Sequence, residues 1–394
     1  MKHFASVFDV VKHQQPRDPV FLYRRDSIHK SVAWFQQHFN GHILYAVKTN
    51  PEKFVLKDIY AAGIRHFDVA SLGEIELISS LFSDAHLHFM HTVKNRDAIR
   101  EAYFNYGIRD FSLDSVDELE KIVFATHHAK DLNLIVRIAI PNTHAELDLS
   151  GKFGILPHLA PRLLTLARKY AQKLGICFHV GSQCMHPNAF SMALKQVRQV
   201  IQQANVPVEV IDVGGGFPSI YPGMIPPPLS DYCETISEEI ETLGLANGTE
   251  IWCEPGRAIV AESGSVIARV ELRKGEYLYI NDGTYGSLFD AGYPGFIYPV
   301  RLLRGDKGAN LLPYSFYGPT CDSLDFMKGP FYLPADVAEG DYIEIGQLGS
   351  YSRTLRTKFN GFYCDDVVTV GDEPILSIFS LQEEEREEKE ALNS

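Results

Sequence analysis

Lys48 closes an apolar run, Ile43 to Val47, inside the segment Tyr-Ala-Val-Lys-Thr-Asn-Pro of residues 45–51. An ammonium group at the end of a buried strand is costly unless it is paired or neutralised. A Schiff base is one reason to keep it there, because a desolvated amine of lowered pKa condenses with an aldehyde. The other reading lays the stem along the strand end and lets the head reach water. The motif alone does not choose between them. Two further segments carry groups for an anion: Gly214-Gly215-Gly216, whose bare backbone N–H groups allow close approach, and Glu254-Pro-Gly256-Arg257, which offers a charged fork. Glu254 could simply pair with Arg257, or it could keep a pyridine nitrogen protonated. His179 and Ser182, in His-Val-Gly-Ser, read either as satisfied polar residues or as a ring that stacks on a flat cofactor and a hydroxyl beside its phosphate.

The elements that must position these groups follow from periodicity. Eight apolar runs alternate with amphipathic stretches: 43–48, 66–70, 87–92, 110–113, 134–140, 176–181, 208–213 and 250–254. Ser71-Leu-Gly-Glu74 and Ser115-Val-Asp-Glu118 have the form of capping boxes, with serine capping the helix and glutamate reaching back. Eightfold strand–helix alternation predicts an α/β fold, a parallel (β/α)8 TIM barrel, over 25–257. An open doubly wound sheet is the alternative, but the GxGxxG turn it favours is missing. Beyond Arg257 short β-rich runs (259–270, 276–280, 298–303, 314–317, 342–345 and 367–370) predict a second, C-terminal antiparallel β domain built from 1–24 and 258–380. In a barrel of this kind a phosphate commonly binds after strands seven and eight, where Gly214–Gly216 and Arg257 fall. Phosphate near a Schiff-base lysine points to pyridoxal 5′-phosphate.

Composition narrows the function classes. The chain has 394 residues, 45% hydrophobic and 22% charged, which fits a globular protein of about two domains. No apolar run reaches the roughly 18 residues of a membrane helix, and no secretory signal is evident in Met1 to Arg17. A net charge of −13 speaks against a nucleic-acid partner. Six cysteines without CxxC or zinc spacing predict free thiols in a cytoplasmic protein and no metal site. Residues 381–394 form an acidic tail, with six glutamates in 383–390 against Arg386 and Lys389, and read as solvated or disordered.

Taken in order, Tyr-Ala-Val-Lys48, Phe-Asp68-Val-Ala-Ser71, His179-Val-Gly-Ser182, Gly214-Gly-Gly-Phe-Pro218, Glu254-Pro-Gly-Arg257, Gly318-Pro-Thr-Cys-Asp322, Gly349-Ser-Tyr351 and Phe359-Asn-Gly-Phe362 span nearly the whole chain. The chain resembles the fold-type III pyridoxal-phosphate decarboxylases, the ornithine, lysine, arginine and diaminopimelate decarboxylase family with its alanine racemase-like architecture. The resemblance implies that Lys48 carries the cofactor aldehyde, that His179 stacks on its ring and that Glu254 meets the pyridine nitrogen. It implies Ser182, Gly214, Gly215, Gly216, Gly256, Arg257 and Tyr351 around the phosphate, and Asp68 close to Lys48. Family members are homodimers whose active sites lie at the interface. Cys321 would return a proton to the substrate α-carbon, and Asp322 would receive a distal ammonium, with Tyr285 as a further substrate residue.

Two departures stand out. The second aspartate of eukaryotic ornithine decarboxylases, which follows a tyrosine after Asn281-Asp-Gly283, is replaced by the proline of Tyr293-Pro294; Asp290 is the nearby substitute. Ser350 stands where alanine is commoner, a change expected to have no consequence. Cys321-Asp322-Ser323, in place of the Cys-Glu-Ser of diaminopimelate decarboxylases, favours ornithine (to putrescine) or lysine (to cadaverine). Arginine, diaminopimelate, carboxynorspermidine and a catalytically inactive regulatory homologue are the alternatives.

Overall fold

The computed structural model describes residues 1–305 and 308–380; the acidic tail lies outside them. Eight parallel strands close into a barrel: His42–Ala46, His66–Val69, His86–Phe89, Asp110–Leu113, Leu132–Arg137, Ala171–Cys177, Val210–Asp212 and Glu250–Cys253. All eight overlap the apolar runs read from the sequence, although the sixth shares only residues 176–177 with its run because it starts five residues earlier, at Ala171. Closure comes from strand eight pairing with strand one, Trp252 opposite His42. Helices such as Lys53–Ala61, Leu72–Leu81, Val116–Ala125 and Asn188–Ala204 cover the outside. Arg25–His38, ahead of strand one, packs beside Lys53–Ala61 and the short helix Arg257–Val260, filling the gap that this short helix leaves. Inside, Leu44, Met90, Ile135, Cys177, Val210 and Trp252 form an apolar plug between the two ends of the barrel.

The two capping boxes differ. Ser71 and Ser115 accept from the backbone N–H of Glu74 and Glu118, each at 3.2 Å. Glu74 reaches back one residue further than expected, accepting from Ala70 N–H at 2.7 Å. Glu118 does not return to its own helix start. Its buried carboxylate binds Lys94 Nζ at 3.0 Å and Lys121 Nζ at 2.5 Å, because two ammonium groups outcompete one amide.

The second unit is a nine-stranded sheet around the long strand Gly264–Lys274, which pairs antiparallel with Val20–Tyr23, Tyr277–Ile280 and Tyr342–Ile345. The sheet is mostly antiparallel, with three parallel pairings, among them Lys2–Phe4 with Val367–Val370. Two sequence expectations need correction. The run 259–270 is not strand throughout: Arg257–Val260 is helical and Ala261–Ser263 a 3-10 turn before the strand starts. These residues are buried on every side, so periodicity could not separate helix from strand. The strand Phe326–Pro334 was not expected, since Gly329, Pro330 and Pro334 interrupt it. It pairs only with Leu311–Tyr317, at the sheet edge, where a proline without an N–H is tolerated.

Candidate active site

The turn that carries Lys48, Val47–Thr49, follows strand one directly. Tyr45 Oη donates to Asn50 O at 3.0 Å and fixes the turn from below. Asn50 Nδ2 donates to Gly349 O at 2.8 Å, and Tyr351 N–H donates to Thr49 O at 3.1 Å, so the turn is tied to the sheet unit. Tyr351 itself has φ of 50°, a left-handed conformation that costs a non-glycine residue energy and is kept only where surroundings enforce it.

Lys48 opens onto a cavity of about 490 Å³ at the carboxyl ends of the strands, to which its side chain is 45% exposed. Its Nζ donates to Asp68 Oδ2 at 2.8 Å, and Asp68 is only 3% exposed. Burial lowers the lysine's pKa, but Asp68, Glu254 and Tyr351 outweigh it and hold the amine above its ordinary value. The lowered pKa expected from burial alone is therefore corrected by two carboxylates that sequence spacing does not reveal.

Of the expected residues, Asp68, His179, Ser182, Gly215, Gly216, Glu254, Gly256, Arg257 and Tyr351 share this cavity with Lys48. Gly214 does not line it but makes it possible. Its φ is 68°, and a Cβ there would lie 2.1 Å from Phe178 O. A Cβ on Gly256 would lie 2.1 Å from Thr49 Oγ1, in the lysine's own turn. His179 Nδ1 accepts the Gly181 N–H at 3.0 Å, which assigns its proton to Nε2. Burial, Arg137 and Lys48 hold its imidazole far below the ordinary range, so it presents a neutral flat ring. Burial, Asp212 and Asp68 push Glu254 well up, and the Glu254–Asp212 pair keeps a proton in the absence of a cationic partner.

Arg257 is buried. Its Nη1 donates to Tyr221 Oη at 2.8 Å and its Nη2 pairs with Asp290 Oδ2 at 3.2 Å. Asp290, expected near a substrate's distal amine, has its carboxylate buried against Arg257 and lines neither large cavity. Ser350 is not inconsequential in its surroundings either, since its Oγ accepts from Arg257 Nη1 at 3.5 Å.

Cys321, Asp322 and Tyr285 are not brought to Lys48 within the chain. Tyr285 and Asp322 line a separate cavity of about 600 Å³, where Tyr285 Oη donates to Asp322 Oδ2. That hydroxyl, with the Leu324 N–H, holds the Asp322 carboxyl below the usual range. Cys321 is exposed, not an inert core thiol, and its N–H donates to Asn360 Oδ1 at 2.9 Å. All six cysteines are free, and among the described residues no cluster could hold a metal ion.

Sequence reasoning missed Asp212 and Arg137. Asp212 is fully buried and accepts the Gly214 N–H at 2.8 Å, fixing the glycine turn beside Glu254. Its signal was a carboxylate inside the apolar run 208–213. Arg137, the last residue of strand five, lines the cavity beside Lys48 and His179.

The model of the family described as "Pyridoxal-dependent decarboxylase, pyridoxal binding domain" matches residues 25–261, which holds the barrel and every residue of the Lys48 cavity except Tyr351. The chain belongs to the pyridoxal-dependent decarboxylases. A lysine/ornithine decarboxylase of Selenomonas ruminantium is 30% identical over 404 residues, covering 100% of each chain. An ornithine decarboxylase of Panagrellus redivivus is 33% identical over 378 residues, 87% of this chain and 84% of that one. Among solved structures, a lysine/ornithine decarboxylase from Vibrio vulnificus complexed with cadaverine superposes with a TM-score of 0.79 at 28% identity, over 92% of this chain and 97% of the other. The residues of this decarboxylase fit pyridoxal 5′-phosphate. Arg257 Nε is a buried donor without a partner, and Gly215 and Gly216 leave bare backbone on the cavity wall. A Cβ at Gly215 would come within 3.1 Å of His179 Nε2, the surface a flat ring needs.

Proposed function

We propose that the chain decarboxylates a basic L-amino acid, ornithine to putrescine first and lysine to cadaverine second, for polyamine synthesis in the cytoplasm. The observation that carries this reading is the joining of Lys48, Glu254 and Arg257 in one cavity, with the Asp322 carboxylate held ionised on a separate loop. Relatives named for ornithine and lysine, similar along nearly their full lengths, support the substrate class.

Lys48 holds the cofactor aldehyde and, with Asp68 at 2.8 Å, keeps a proton within reach of the substrate's amine. Glu254, coupled to Asp212, would face the pyridine nitrogen and keep a proton shared with it. His179 would offer the face of a neutral imidazole to the cofactor's ring. Arg257, Ser182, Gly214, Gly215, Gly216, Gly256 and Tyr351 hold the phosphate. When bound, pyridoxal 5′-phosphate supplies the electron sink for the pair left by departing carbon dioxide. Cys321 delivers a proton to the α-carbon, and Asp322, steadied by Tyr285, takes the distal ammonium in a charge-assisted contact.

Because Cys321 and Asp322 do not open onto the Lys48 cavity, we read the working enzyme as a homodimer in which each copy lends this loop to the other. The loop's surroundings favour a covered surface: Tyr293 is 84% and Leu324 74% exposed, with Phe359 and Phe362 also exposed. Carbon dioxide release over a panel of basic amino acids, with the amine product identified, tests the reaction. Ornithine and lysine should react and diaminopimelate should not. Asp322→Ala should harm substrates with a distal amine far more than norvaline, which lacks one; an unchanged profile refutes the role of Asp322.

A further inference from the structure

We infer that Asp290 is a positioning residue that occupies Arg257 until a phosphate arrives, and so limits how tightly the cofactor's phosphate is held. The inference rests on the proposed role of Arg257 toward that phosphate. The ion pair is 3.2 Å long, with side chains 3% and 6% exposed. The other contacts of the guanidinium are neutral: Tyr221 Oη, Ser350 Oγ and, at 3.4 Å, Ser182 Oγ. The carboxylate cannot swing away easily. Asp290 lies in the short helix Phe289–Gly292, its carbonyl accepts from the N–H groups of Gly295 and Phe296, and the Phe296 ring lies 5.0 Å from the guanidinium carbon.

Arg257 lines the cavity and Asp290 does not, so the negative charge is set behind the guanidinium as seen by an incoming anion. A phosphate dianion therefore meets a nearly neutral pair instead of a free cation, and repulsion from Asp290 offsets part of the attraction. Burial raises the Asp290 carboxyl's pKa even though Arg257 pulls it down. Drawing Arg257 toward a dianion raises it further, so the carboxyl takes up a proton as the anion binds. The other titratable groups facing the pair are Tyr221, Tyr298 and Tyr351, and burial raises the first two hydroxyls above the ordinary phenol value.

The test uses the full chain stripped of cofactor. Pyridoxine 5′-phosphate, which lacks the aldehyde, should bind Asp290→Asn more tightly than wild type by at least about tenfold, because repulsion by one unit charge in a protein interior exceeds that factor at any separation under about 10 Å. Unchanged or weaker binding overturns the inference. Sulfate, whose charge is fixed, should bind wild type with net proton uptake, read by calorimetry across a pH series in two buffers of different ionisation enthalpy. Absence of uptake also overturns it, even if Asp290→Asn does not fold. Arg257→Gln separates the two levels. Binding of pyridoxine 5′-phosphate that survives this change removes the premise and the inference together. Binding weakened by Arg257→Gln but indifferent to Asp290→Asn removes the inference alone.

Discussion

At the amino ends of the barrel strands, His42, His66 and His86 crowd together with ring centroids 4.5 and 4.8 Å apart, and His66 Nδ1 lies 2.9 Å from His88 Nε2. At the carboxyl ends Lys48 lies 2.8 Å from Asp68 and shares one cavity with Glu254 and Arg257, and the outcome is opposite. Below the apolar plug, neighbours of one kind suppress charge: burial, then His88, His42 and His86, hold His66 down at about 3. Above it, neighbours of opposite sign preserve charge: burial would strip Lys48 of its proton, and the carboxylates return it. At one end of the barrel a histidine cluster keeps His66 neutral, with the Asp110 and Glu250 carboxylates met by His88 and Lys173 at its edge. The other holds charges that no closed core would tolerate alone, which is where chemistry is done in this architecture.

The largest test of that contrast is Lys48→Ala. It should lower carbon dioxide release by several orders of magnitude, because the residue proposed to anchor the cofactor is lost; near-normal turnover would erase the distinction between the two ends. Next, mixing inactive Lys48→Ala with inactive Cys321→Ala after dissociation and reassociation should restore about a quarter of wild-type activity. Half of randomly paired dimers are mixed, and each has one intact site of two. No recovery would place lysine and cysteine in the same copy's site.

A smaller effect sharpens the other end. The folded-state pKa of His66 lies below its unfolded value, so the unfolded chain takes the proton first as pH falls. The stability this group provides is complete above about 6.5, the ordinary histidine value, and is lost as pH falls towards about 3. The midpoint of thermal unfolding should therefore drop between pH 7 and pH 5, and His66→Asn should flatten that slope; an identical slope would show that the imidazole cluster is not its source. The smallest effect is at the rim. Ser71→Ala should cost about 1 kcal/mol of stability, the usual worth of a helix cap, measured by denaturant unfolding.

The barrel and most of its upper face are readable because five of the eight apolar runs carry, at or beside their ends, a residue of the Lys48 site: Lys48, Asp68, His179, Gly214 and Glu254. What escaped was set by partners distant in sequence. Spacing places Lys48 at the end of a buried strand, but it does not show that Asp68 is 2.8 Å away and holds the amine's pKa up. Asp290 lay near the right place in the chain, but only the fold shows it turned to Arg257. Asp212 was hidden by the apolar strand that contains it. The edge strand Phe326–Pro334 was hidden by prolines whose missing N–H groups matter only in a sheet's interior.

The hydrogen bonds from Asn50 to Gly349 and from Tyr351 to Thr49 have a practical corollary. A gene cut after the barrel would encode a lysine loop with its latch removed, and the missing fragment would take Tyr351 with it. Such a truncated product could keep its secondary structure and still fail to hold vitamin B6, because the catch that shuts the site belongs to the other half of the molecule.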